Sequence, residues 1–158
     1  MWEDLNRRVA ALLDVQAIEA LKARYWRAVD RGRADDVREC LLPEALIDFD
    51  GLPRFEGRNG FVAVVRESAA RGGAYHMHHG HNPDIELTGP DSAVGVWEVF
   101  YHGIDLAART IVHMAGAYND TYRRRDGHWW IATTTMRQTS LTVQQVDMAS
   151  QCRYVSGV

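Results

Sequence analysis

Four runs rich in β-branched and aromatic residues fill most of the second half of the chain, with only short breaks between them. They are AYHMHHGHNPDIEL (74–87), SAVGVWEVFYHGI (92–104), TIVHMAGAYNDTYRRR (110–125) and HWWIATTTMRQTSLTV (128–143). Such composition favours strands. The breaks at Gly89-Pro90-Asp91, at Gly103 to Ala108 and at Asp126-Gly127 carry turn chemistry, and Asp-Gly between two such runs signals a tight hairpin. The second half is therefore expected to form an antiparallel meander.

The first half has a different period. From Val15 to Asp30, apolar Ile18, Leu21, Tyr25 and Ala28 or Val29 recur at three- and four-residue steps, with Glu19, Lys22, Arg24 and Arg27 largely off that stripe. This is the pattern of an amphipathic helix. Asp14 is placed as its N-cap and Gly32 as its C-terminal stop. Residues 2–13 also read as helical, as a separate first segment. A short helix over 34–42 would carry Val37, Cys40 and Leu41 inward and stop before Pro43. ALIDFDG (45–51) alternates like a strand closed by Gly51. Arg58 to Ala70 reads as a third helix with Phe61, Val62, Val65 and Ala69 on one side. Helices followed by a meander specify an α+β fold. The expected form is a cone-shaped α+β barrel, a curved mixed or antiparallel sheet wrapped around the N-terminal helices, whose mouth can hold a small molecule.

At 158 residues the chain is expected to be one domain, 1–158. A formal charge of −3 gives no electrostatic reason to expect a nucleic-acid or membrane partner. The first residues lack the apolar core of a secretion signal, and no window approaches the roughly 20 apolar residues of a membrane span. Cys40 and Cys152 match no zinc or redox spacing. A cytoplasmic location with reduced thiols is the expectation.

Four of the chain's seven histidines, His76, His78, His79 and His81, fall within six positions. A strand would put His76 and His78 on one face and His79 and His81 on the other. At most two or three could meet one ion, Gly80 and Pro83 favour a bulge or kink, and spacing places no carboxylate as a third ligand. No metal is expected. Asp30 sits in the last turn of its helix, against the negative end of the helix dipole, a local cost of roughly 0.3–1 kcal/mol. On local grounds alone it reads as a solvated acid near a loop, screened by Arg31 and Arg33; a local rule broken at the right place is the alternative, and would mark a functional residue. His113 alternates with Ile111, Ala115 and Ala117 on a small-residue face that lines either the core or a pocket. Asn82 has the character of a turn former, and Trp97 that of a sheet-face residue able to wall an apolar pocket.

The segments AIEALKARYWRAVDRGRADDVRECLLPEALIDFDG and AGAYNDTYRRRDGHWWI, together with His78-x-x-x-Asn82 entering a strand, resemble the SnoaL-like branch of the nuclear-transport-factor-2-like superfamily over about residues 9–137. The pattern is similar to a subgroup that removes water or HCl from cyclic substrates without a cofactor, using a His–Asp pair. The resemblance places the family Asp on Asp30, the family His on His78 and a polar residue five positions before the Asp on Tyr25. The arginine such enzymes carry in the last strand is absent from Thr133-Thr134-Thr135, and Arg137 is the nearest. The resemblance thus implies a cofactor-independent dehydratase in which His78 takes a proton, Asp30 fixes its tautomer and Tyr25 donates a hydrogen bond. Candidate substrate-binding residues are His113, Arg137, Asn82 and Trp97, around a small, hydrophobic, cyclic substrate. An isomerase or polyketide cyclase using the same pocket, or a non-catalytic binding or oxygenase small-subunit module, remains an alternative. A homo-oligomer, dimer or trimer, is implied, with residues 138–158 as a C-terminal extension that could cap the cavity or a neighbouring subunit.

Overall fold

A single helix, α1 (Trp2–Asp30), opens the chain in the computed structural model, which describes residues 1–146. The expected break before Asp14 does not occur. Asp14 lies mid-helix, and its Oδ1 accepts hydrogen bonds from Arg124 Nη1 at 2.7 Å and Trp129 Nε1 at 2.9 Å. Its polarity serves a tertiary contact with the sheet rather than a helix end. Burial is confined to the second half of α1, where Ile18, Leu21, Tyr25 and Ala28 are at most 1 % exposed. Lys22, off the apolar stripe in the sequence, is buried among them. Gly32 ends the helix as expected. Its φ is +62°, Arg33 N–H bonds Ala28 O and Gly32 N–H bonds Val29 O, the paired closure that glycine permits.

The short helix α2 covers only Ala34–Arg38. The chain turns extended by Leu41 because strand β1 (Leu41–Phe49) pairs in parallel with the last strand. Val37, Cys40 and Leu41 are all buried, though only Val37 is helical. A two-residue strand, β2 (Phe55–Glu56), then lies antiparallel to β1. Helix α3 (Arg58–Arg71) buries Phe61, Val62 and Val65 and leaves Ala69 exposed.

The meander consists of β3 (Ala74–Gly89), β4 (Ser92–Asp105), β5 (Thr110–Arg125) and β6 (His128–Gln145), each antiparallel to the next. The sheet order is β2-β1-β6-β5-β4-β3. Only β1 and β6 run parallel, so the sheet is mixed, and it stays open with β2 and β3 at its edges. The fold is α+β, with the helices packed on one sheet face. Register shifts in β3 between His81 and Asp84, and in the β5–β6 ladder at Ala115/Gly116 and Thr121/Tyr122, insert extra residues. Such bulges bend and twist a strand. Gly103, expected to begin a turn, is a buried residue inside β4. The stretch from 138 to 145, expected as part of an extension, continues β6; Cys152 and the tail from 147 onward lie outside the described residues. Among the described residues, no helix is long and apolar enough to cross a membrane.

Candidate active site

Asp30 is the last helical residue of α1, where its carboxylate meets unpaired carbonyls. The compensation comes from β3. The His78 backbone N–H donates to Asp30 Oδ2 at 3.0 Å, and His78 Nδ1 lies 2.5 Å from Asp30 Oδ1. A carboxylate oxygen only accepts, so the imidazole donates from Nδ1. The neutral ring then keeps its lone pair on Nε2. The two side chains are 12 % and 17 % exposed, shielded from bulk water yet reachable by a ligand.

Strand alternation brings His78 inward. His76 and His78 are half-buried, while His79 and His81 face solvent, the division expected from a pleated strand. Gly80 holds the geometry because a Cβ there would lie 1.9 Å from the Trp26 ring. Three residues further on, the bulge reverses the parity, and Ile85 and Leu87 turn inward. Among the described residues, no three His, Cys, Asp or Glu side chains converge as a metal site would require.

Tyr25, Asp30 and His78 line one cavity of about 670 Å³ between α1, α3 and the sheet, within the usual range for small-molecule sites. Five residues of helix rotate by about 140°, so Tyr25 and Asp30 do not share a face. They share the cavity because it extends along α1 from Tyr25 to Gly32. Burial above all, then the proximity of Tyr118 and Asp120, holds the Tyr25 hydroxyl protonated, its pKa well above the usual tyrosine value. Phe49, Phe61, Met114, Tyr118 and Met136 make much of the remaining wall apolar.

The four residues expected to bind substrate do not line this cavity. His113 is exposed on the outer sheet face, stacked on Phe100 at 5.9 Å between ring centres. The inward face of β5 is that of Met114, Tyr118 and Tyr122, so the small-residue face is the outer one. Arg137 points away because Met136 and Gln138 take the cavity face of β6; it pairs with Asp48 at 2.7 Å instead. Asn82 forms the β3 bulge with φ +49° and donates to Glu98 Oε2 at 2.5 Å. Trp97 is a core residue whose Nε1–H donates to Tyr122 Oη at 2.9 Å, and it borders a second groove, which Asp30 and His78 also line.

Two further cavity residues are His76, which strand alternation places on the face of His78 without giving it a role, and Tyr101, one of several sheet-face aromatics the sequence does not tell apart. His76 Nδ1 lies 2.7 Å from Tyr101 Oη, and the His78 and Tyr101 rings are 4.8 Å apart. Burial, then the proximity of His78, lowers the His76 pKa. Burial and the Asp30 charge push Tyr101 up to about 12. Only the β3–β4 register, which sets His78 opposite Tyr101 and His76 opposite Gly103, brings these groups together.

A second buried pair lies behind Tyr118. Lys22 Nζ is 2.6 Å from Asp120 Oδ2, both side chains fully buried, and 3.9 Å from the Tyr118 ring centre. Asp120 Oδ2 also accepts the Tyr122 hydroxyl at 2.8 Å. Burial draws the Lys22 pKa down, with Asp120 opposing.

The backbone closely matches known structures. A hexachlorocyclohexane dehydrochlorinase superposes with a TM-score of 0.80 at 20% identity, covering 97% of each chain. A dehydrochlorinase of the same name from Novosphingobium barchaimii gives 0.79 at 21% identity, covering 98% of this chain and 99% of that one. A scytalone dehydratase-like protein from Novosphingobium aromaticivorans gives 0.78 at 19% identity, with 92% and 97% covered. At such identities the likeness is one of fold. In sequence, the SnoaL-like domain family matches residues 10–135, most of the chain. The open mixed sheet, the helices on its one face and this family match together place the chain in the SnoaL-like domain family.

Proposed function

We propose that this protein is a cofactor-independent lyase of the dehydratase type, acting on a small, cyclic, largely apolar substrate. The observation that carries the reading is the 2.5 Å contact of His78 Nδ1 with Asp30 on the wall of an apolar cavity. In this reading His78 Nε2 takes an acidic C–H proton next to a carbonyl. The C–H electron pair forms the new double bond as the β-hydroxyl group departs, and that group leaves as water with the abstracted proton. Asp30 stabilises the imidazolium while it exists and keeps the tautomer correct. Tyr25, protonated and lining the same cavity, donates a hydrogen bond to a substrate oxygen. Lyases among the proteins of like fold add support, since hexachlorocyclohexane dehydrochlorinase also eliminates across a ring. A non-catalytic binding module would have no need for Asp30 and His78 to converge.

The test is a screen of cyclic β-hydroxy ketones, polyketide-like and steroid-like, followed by mass spectrometry for loss of one water. His78→Ala should lower turnover by about 10²–10⁴-fold while circular dichroism stays unchanged. Near-wild-type turnover by that variant overturns the reading. A product of unchanged mass would move the assignment to the isomerase or cyclase alternative.

A further inference from the structure

Tyr101 and His76 face the cavity beside the His78–Asp30 pair, and nothing in the elimination just described uses them. Their contact depends on a missing side chain. Tyr101 and Gly103 share a face of β4, and His76 is the cross-strand partner of Gly103. A Cβ on Gly103 would lie 2.4 Å from Tyr101 Oη and 2.9 Å from its ring. The tyrosine can therefore lie along its own strand over Gly103, which carries its hydroxyl to His76 Nδ1 at 2.7 Å. Gly103 is not at a left-handed backbone position, so space and not conformation is what glycine supplies here.

Proton counting shows what the pair offers. A neutral imidazole has one N–H and a phenol one O–H, and their mutual hydrogen bond uses one of the two. If Tyr101 donates to Nδ1, the imidazole proton is on Nε2 of His76. If Nδ1–H donates to Oη, the phenol proton is free. Either way one donor is left over, on a side chain that lines the cavity. Both groups are held in these neutral forms by their burial.

We infer that His76 and Tyr101 form an oxygen-binding subsite that takes the carbonyl, enol or phenolic oxygen of a cyclic ligand, with Gly103 as the residue that positions it. Its place in catalysis rests on the proposed proton abstraction by His78. As His78 removes the C–H proton, the pair that goes on to form the new double bond is partly shared with the adjacent carbonyl, and the subsite donates a hydrogen bond to the charge that develops on that oxygen until the hydroxyl departs. Arg137 takes no part in it, being turned away to Asp48.

The probes are 2-naphthol, a stable aromatic enol, and 2-methylnaphthalene, of similar size without the oxygen. The ratio of their affinities for the whole protein is measured by calorimetry. Tyr101→Phe, which removes either the spare donor itself or the hydroxyl that fixes it on His76 Nε2, should lower the naphthol preference by about three- to tenfold, the worth of one hydrogen bond. Gly103→Ala, which adds no polar change, should do the same by displacing the hydroxyl. The drop from Tyr101→Phe should also appear in a His78→Ala background. A ratio unmoved by both substitutions, or no binding of naphthol at all, overturns the subsite. A ratio that responds to His78→Ala alone overturns the subsite and leaves the lyase reading standing. A ratio that responds to Tyr101, with turnover insensitive to His78→Ala, does the reverse.

Discussion

Lys22–Asp120 and His78–Asp30 are both close contacts of a side-chain nitrogen with a carboxylate, at 2.6 and 2.5 Å, and both join α1 to the sheet. Their surroundings separate them. The first is fully buried, roofed by the rings of Tyr118, Trp26 and Tyr25. The second opens on a cavity. A sealed pair has no access to solvent or ligand, so removing one member strands a charge in the interior. An open pair can exchange a proton with a ligand, which is the use the proposed elimination makes of it. Burial alone therefore does not mark a pair as a candidate for reaction; access on one side is also needed.

The largest effect expected from breaking this contrast is on rate. Asp30→Asn should lower turnover by about 10²–10⁴-fold, because an amide can present its N–H to Nδ1 and invert the tautomer, while denaturant unfolding changes little. The mirror experiment is Lys22→Ala, which should cost about 3–5 kcal/mol of unfolding free energy by leaving Asp120 unpaired. Lys22→Met combined with Asp120→Asn should recover much of that loss. A Lys22→Ala variant as stable as the wild type would break the contrast.

Alkaline pH should act on the sealed region next. Tyr25, Tyr118 and Tyr122 all have their pKa raised by burial above all. The unfolded chain ionises them near pH 10 and the folded one does not, so the folded state binds more protons and stability falls as pH rises past 10. Each contributes a slope of about 1.4 kcal/mol per pH unit, measurable by unfolding between pH 9 and 11. The cavity responds to acid instead. His76 has a lowered pKa, so the unfolded state takes up its proton first and stability falls as pH drops through about 6.5. His76→Gln should flatten that limb. The smallest effect is expected from Arg137→Ala, an exposed pair whose loss should leave both turnover and stability nearly unchanged.

Much of this was legible in the chain itself. The meander's turns and the Gly32 stop follow from local chemistry, and β5 begins and ends where its β-rich run does. Asp30 could be singled out because an acid at a helix C-terminus breaks a local rule, and His78 by its place in a family motif. Local rules misled where tertiary contacts compete with them. Asp14 has the chemistry of a cap, yet Arg124 and Trp129 claim its carboxylate. Gly103 has the chemistry of a turn, yet serves as space for a neighbouring ring. His113 and Arg137 lay on the wrong parity for the cavity, and parity relative to a core is set by bulges and pairing rather than by period alone.

By itself, then, the sequence determined the order and kind of the elements, because hydrophobic period and turn residues act over a few positions. It also determined that Asp30 and the histidine run merit attention. Only the tertiary structure decided that Tyr101 and His76 stand beside the His78–Asp30 pair, and that Lys22 is sealed against Asp120. Those outcomes join residues some 25 to 100 positions apart, and they depend on strand register and on which face of each strand the helices cover. Neither is encoded at any one position; both are fixed only when the whole sheet closes over α1.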